Sequence, residues 1–440
     1  MMLAFYSGYS ERWSPGFGMM HFLRLFFIVI IFSASLSSYC LAGGWTPVLE
    51  STPLVPGVVV AVDKESQKFH LLVHKSPLHA ELSFDCATGK KAGDKKVEGD
   101  MRTPEGVYFT KGKRTGLKDF ELYGDLAFPL DFPNPIDRIN GKTGYGIWIH
   151  GRGKQLVAMD TQGCVALENT DINFIDSRIR SGTPVVIGET VSWVNATGTQ
   201  VVESAELKTL VNKWAADWSN KDDGFFEAYS DKLFSKTESR PFKFFKNRKK
   251  RIFSDTSWID VSVFNLKALP GPDYWVTWFD QYYRSGRLSS STAKRLYWQK
   301  IDGIWKIVGR EYGPASKSFA DEYIASKRKS VLGFLDNWRT FWLSADLDPY
   351  SVLYDSNARQ GNIRGINAIK EHKKSIWTEK KPSVVEISKV RLKEHPDGLE
   401  VAFKQLYSDV SGYSDFGSKK LVIRPVNGGW RIVDEQWSRR

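Results

Sequence analysis

A chain of 440 residues with 42% hydrophobic and 14% aromatic side chains holds material for about three domains of ordinary size. Charged residues at 25% match a soluble globular protein and exclude extensive disorder. A net charge of +12 calls for an acidic partner, which leaves nucleic acid, anionic membrane and a polyanionic cell wall in play.

The first element is a targeting segment. Residues 25–32 read LFFIVIIF after Arg24 and run into SASLSSYCLAGG, so residues 1–42 are expected to be a signal peptide cleaved after Ala42. The apolar run is too short for an ordinary membrane span; retention as an N-terminal membrane anchor is the other reading. Export places the chain in the periplasm, sets nucleic acid aside and makes the wall the expected partner. Of the cysteines at 40, 86 and 164, two survive cleavage. Either Cys86 and Cys164 pair, or at least one is kept free for chemistry.

From Gly57 to Gly188 short apolar or β-branched runs predict strands: VVVAV (58–62), HLLV (70–73), GVYFT (106–110), GIWIH (146–150) and PVVIG (184–188). A helix is expected after Thr170 as N-cap, with Ile172, Ile175 and Ile179 on one face. His70 and His74 fall in a strand-like stretch without a third ligand and read as surface or packing residues. The chain shows no zinc spacing and no glycine-rich nucleotide loop, so no cofactor or metal is expected. Residues 193–204 read as a linker.

The remainder repeats itself. Trp214 and Trp218 recur as Trp338 and Trp342, Tyr229 as Tyr354, Gln281 as Gln405 and Trp305 as Trp430, at offsets of 124 or 125. Each copy opens on an amphipathic helix: Leu207, Leu210, Val211, Trp214 and Trp218 in one, Val331, Phe334, Leu335, Trp338 and Trp342 in the other. Each closes on a hairpin, turning at Asp302-Gly303 and at Asn427-Gly428. A long helix followed by a curved sheet resembles the nuclear-transport-factor-like, or SnoaL-like, cone fold, with repeats expected over 205–315 and 327–440. The tryptophan stripes read as core. The basic run KFFKNRKKR (243–251) reads either as a solvated loop or as a site for an anionic polymer.

The segment IHGRGKQLVAMDTQGCVALEN (149–169) carries the chemistry. A thiol attacks as thiolate, so a cysteine nucleophile needs a neighbouring base. His150 is followed by Gly151, and Cys164 follows Gly163 and opens the short strand VAL. Two adjacent strands ending at one edge would bring imidazole and sulfur together, and the Cys164 amide can face a developing oxyanion.

His-Gly, a short loop, then Thr-x-Gly-Cys-Val-x-Leu resembles the signature of the L,D-transpeptidase catalytic domain. FDCATGKKAGDK (84–95), GDMRTPEGVYF (99–109) and FPLDFPNPIDRINGKTGYGIWIHG (128–151) resemble its other segments, in order, over a domain expected at 55–190. The nearest likeness is to the L,D-carboxypeptidase branch that trims stem peptides in helical, shape-determined bacteria, also joined to a cone-fold tail. The resemblance implies an α+β fold, β-rich at its N-terminus, and acyl transfer on peptidoglycan stem peptides. It implies Cys164 as nucleophile, His150 as general acid/base, the Gly151 carbonyl as ring orienter, and Gly163 with Cys164 at the oxyanion site. Gln162 and Ala166 depart from the pattern, where many members carry histidine and arginine. Arg138 or Arg152, both close to the motif in sequence, reads either as the cation that then holds the substrate carboxylate or as a surface charge. The rival reading is a non-catalytic wall-binding scaffold with Cys86 and Cys164 disulfide-paired. The catalytic domain is expected to work alone on soluble substrate, while the two repeats hold it to the wall, bind a protein partner or pair two chains.

Overall fold

The β-branched runs between 57 and 188 form two sheets. In the first, Leu78–Asp85, Lys68–His74, Val58–Asp63, Pro184–Gly188 and Gly106–Phe109 lie in that order. In the second, Arg114–Thr115, Leu126–Pro129, Trp148–Arg152 and Val165–Glu168 lie side by side. Val60, Val62, Phe69, Leu71, Ile149 and Val165 fill one core between them, and strand alternation puts these residues on inward faces. The computed structural model describes residues 43–440 other than Ser76, Thr197, Arg287 and Arg440. The expected signal peptide therefore lies outside the described residues.

The expected linker at 193–204 is mostly structured. Ser192–Val194 pairs in parallel with Val48–Glu50, and a helix already runs over Thr199–Asn220. The turn before it is tied down from the N-terminal strand: the Gly198 amide donates to the Glu50 carboxylate at 2.9 Å, and the Gln200 amide donates to the Val48 carbonyl at 2.6 Å. The helix expected after Thr170 starts at Asn169 with Glu168 ahead of it and no side-chain cap. Ile172 and Ile175 are buried as expected, and Ile179 is buried beyond a 3-10 turn at Asp176–Arg178.

Two cones follow, each a long helix against a sheet that is antiparallel in the first and mixed in the second, where Tyr354–Gln360 pairs in parallel with Gly429–Arg439. The first sheet runs Ile259–Pro270, Trp275–Ser285, Leu288–Ile301, Ile304–Pro314. The second has the long helix Ala320–Leu343 and ends on Gly429–Arg439 beside Ser414–Val426. Both hairpins turn where the sequence places them, with positive φ at Asp302 and Gly303 and at Asn427 and Gly428, the geometry that Asx-Gly pairs tolerate. The four tryptophans of the stripes are buried, and the same internal bond recurs: Trp214 donates to the Tyr229 hydroxyl and Trp338 to the Tyr354 hydroxyl, each at 3.1 Å.

The cones differ inside. In the second, Lys419 and Glu435 pair at 2.5 Å, fully enclosed, and Tyr354 also donates to Glu435. Burial alone would raise the Glu435 carboxyl, but Lys419 and Lys373 hold it at about 2. Glu435→Gln strands two enclosed ammonium groups and should cost roughly 3–5 kcal/mol, read from urea midpoints. The depressed value sets the sign with pH. The Glu435 contribution is complete above its ordinary 4.5 and is lost as pH falls toward about 2. The variant should therefore be less acid-sensitive over that window, and an unchanged midpoint would remove the assigned role.

The first cone is welded to the N-terminal half. Val55, Val107, Phe109 and Ile136 share one core with Leu269, Tyr274, Val276 and Tyr297. Val107 N–H donates to the Tyr274 hydroxyl at 2.8 Å, and Arg295 pairs with buried Asp131 at 2.7 Å while lying over the Phe109 ring at 3.7 Å. The aromatic strand at 274–283 thus spends its apolar surface within the chain. The second cone is fixed to the first by Asp260, which pairs with Lys327 and accepts from Tyr323, both at 2.8 Å.

Candidate active site

Strand pairing decides what stands beside His150. Trp148–Arg152 pairs in parallel with Val165–Glu168, with His150 opposite Ala166. Two residues back along each strand, Trp148 lies level with Cys164, so Cys164 and His150 occupy the same face of neighbouring strands. The histidine strand does not end at His150, as expected from sequence, but continues through Arg152. The sulfur approaches from the turn that opens the second strand.

His150 is buried, and its Nδ1 lies 2.6 Å from the Gly151 carbonyl oxygen. A carbonyl only accepts, so Nδ1 carries the proton and Nε2 presents its lone pair as a base. Burial pulls the ring down to about 4, against the Gly151 bond and with Arg152 adding to the fall. Cys164 is half-buried, and its Sγ contacts the Gly146 carbonyl at 3.4 Å; among the described residues no bond joins it to the imidazole. Burial pushes the thiol up to about 11, while the Trp148 amide and Lys95 draw it part of the way back. The resting pair is a neutral thiol beside a neutral imidazole. The expected acid limb of kcat/KM therefore lies near 4, with a flat profile through neutrality and no thiolate plateau in iodoacetamide alkylation at pH 7. A limb near 6.5 would mean an unshifted imidazole, and a thiolate plateau in the alkylation would mean a preformed ion pair.

The cysteine turn is held from two sides. Gly163 adopts φ +124, and a Cβ there would stand 2.7 Å from the Arg102 carbonyl oxygen, so only glycine fits. The Thr161 hydroxyl accepts from the Gly163 amide at 3.1 Å and donates to the Cys164 carbonyl at 2.7 Å. The Gly163 N–H is thus committed to Thr161, and its contribution at this turn is conformational. The Thr-Gly segment crosses behind, with Ala87 and Ala166 exchanging both backbone bonds at 2.8 and 2.9 Å.

Several expectations need correction. Cys86 and Cys164 are both free thiols, and Cys86 is buried at the end of its strand, so the disulfide of the scaffold reading is not formed. Arg138 is exposed on the short helix Pro135–Ile139, where it donates to the Pro133 carbonyl at 2.7 Å and faces Glu311 of the first cone at 4.0 Å. Proximity in sequence to the motif did not bring it to the thiol. Arg152 does share the His150 face. It is buried, pairs with Asp160 at 2.8 Å, and its Nε has no partner.

Sequence reasoning missed Tyr123, Thr161 and Lys95. Tyr123 ends the short helix Phe120–Tyr123 and sets its ring 5.2 Å from His150 and 5.5 Å from Trp148. Burial first, and Cys164 second, raise its hydroxyl, which marks the phenol as a neighbour of the sulfur. Lys95 is buried beside Asp100 at 2.8 Å. The one signal for Thr161 was its place in the Thr-x-Gly-Cys string.

Comparison with known proteins agrees with this architecture. Residues 57–187 match the family model described as the L,D-transpeptidase catalytic domain. Residues 206–311 and 330–436 each match the Cds6 C-terminal NTF2-like domain. YafK of Escherichia coli (strain K12), whose name assigns it provisionally to the L,D-transpeptidases, is 30% identical over 135 residues. That match covers 29% of this chain and 51% of YafK, so the chain spans about half the length of the curated relative it matches. Bd1075 of Bdellovibrio bacteriovorus superposes with a TM-score of 0.50 at 26% identity, over 62% of this chain and 97% of that one. The helical cell shape determining protein Pgp2 of Campylobacter jejuni does so at 0.47 and 25%, over 58% and 91%.

Proposed function

Because the chain carries an L,D-transpeptidase catalytic domain followed by two NTF2-like domains, we propose that it performs acyl transfer on peptidoglycan stem peptides, with Cys164 as nucleophile and His150 as base, after export to the periplasm. The observation that carries the reading is the imidazole locked by Gly151 at 2.6 Å, on the same face as the Cys164 turn. Locking Nδ1–H leaves Nε2 to take the thiol proton as sulfur attacks the carbonyl between an L-centred diamino acid and a terminal D-alanine. The Cys164 amide stabilises the oxyanion. His150 then returns the proton to the departing D-alanine amine, and the thioester passes to water, giving a tripeptide, or to an amine, giving a 3-3 crosslink.

Of the two candidate cations Arg152 is the one on the histidine face, and because its guanidinium is buried and paired with Asp160 at 2.8 Å, holding a substrate carboxylate requires it to release that partner. Mass spectrometry of muropeptides incubated with purified protein tests the reading. Tripeptide products assign a carboxypeptidase, 3-3 dimers a transpeptidase. An unchanged digest from a protein whose thiols titrate as free would refute acyl transfer on these substrates.

A further inference from the structure

The basic run, which reads in sequence either as a solvated loop or as a site for an anionic polymer, is a helix, Phe242–Asp255, and its outer face has a composition the fold does not require. Phe242, Phe245, Ile252 and Phe253 turn inward against the first cone. Lys243, Phe244, Arg248 and Arg251 point to solvent, with none of the three cations in an ion pair among the described residues. The second cone supplies an internal control. Its helix Ile366–Glu379 sits at the same place in the repeat and buries Ile369, Lys373 and Trp377 in the same way. At the exposed positions 124 residues on, it carries Asn367, Ala368, His372 and Ser375. One packing task therefore tolerates a near-neutral outer face, and the first cone nonetheless presents cations around an exposed phenyl ring. Arg240 and Lys243 stand over that ring at 5.8 and 5.6 Å.

We propose that this face is a docking surface for an anionic phospholipid bilayer. Attraction to anionic headgroups accumulates with each Lys or Arg near the surface, and a phenyl group presented at that level enters the interfacial region. Recognition of a purely aqueous polyanion needs the cations but gives no use to Phe244, which is 48% exposed. The surface is independent of the Cys164 chemistry.

Co-sedimentation of the full chain with vesicles tests the proposal. Binding should be strong on mixed phosphatidylglycerol and phosphatidylcholine, weak on phosphatidylcholine alone, and lost with added salt. The triple variant Lys243→Glu, Arg248→Glu, Arg251→Glu should lower partitioning by roughly 100-fold at an unchanged thermal midpoint. Phe244→Ala should weaken binding at constant charge, and Lys374→Glu on the control helix should not. Equal sedimentation with both vesicle types, or full binding by the triple variant, would overturn the proposal. So would loss of binding to purified sacculi in the triple variant with vesicle binding intact, which would assign the face to the wall polymer.

Discussion

Cys164→Ser and His150→Ala are each expected to lower turnover of a tetrapeptide muropeptide by about 10⁴-fold or more, because the members of such a pair act as a unit. Their structural costs differ. The Cys164 sulfur is half-buried and contacts the Gly146 carbonyl at 3.4 Å and the Trp148 amide, partners a serine hydroxyl can keep, so serine fits with little change in stability. The His150 ring is enclosed and packs on Tyr123 at 5.2 Å, so alanine leaves a cavity and should lower the thermal midpoint as well. His150→Gln separates the two effects, since it fills most of the space and offers no titratable base. Full loss of turnover with near-native unfolding in Cys164→Ser and His150→Gln is the expected pattern. Turnover within tenfold of wild type in either would remove the proposed mechanism.

The legible part of the site was the part carried by one stretch of chain. His150 and Gly151 lie on one strand and Gly163 and Cys164 in the turn that opens its neighbour, so their order in the chain already implies their pairing. Tyr123 and Lys95 come from other segments, and nothing in their local sequence marks them. Arg138 shows the opposite error. It lies near the motif in the chain, but Pro135 and the Asn134 cap start a helix there that turns the guanidinium to the first cone. In the fold, helices with a full apolar stripe and hairpins with Asx-Gly turns were readable, because period and turn chemistry are local. The basic run at 243–251 looked like a loop because its charges mask the inward spacing of Phe242, Phe245, Ile252 and Phe253. The depth of packing between the catalytic half and the first cone was invisible for the same reason that Tyr123 was. It depends on residues far apart in the chain.

That packing argues against the expectation that the N-terminal half works alone. Ending the chain near residue 192 uncovers Val55, Val107, Phe109 and Ile136 from the core they share with Leu269, Tyr274, Val276 and Tyr297. At roughly 1.5–3 kcal/mol for each large apolar side chain fully returned to water, even partial exposure costs an amount comparable with the total stability of a domain, about 5–15 kcal/mol. Two polar losses add to it. Asp131 would lose Arg295, and the Val107 amide would lose the Tyr274 hydroxyl. The helix tether through Gly198 and Gln200 disappears as well. Residues 43–192 are therefore expected to be aggregated or molten and to lack turnover, whereas residues 43–315 should unfold cooperatively and keep activity on soluble muropeptides. Near-ultraviolet circular dichroism and a muropeptide assay on both fragments check this. A folded, active 43–192 fragment would mean that the shared core contributes far less than its burial implies.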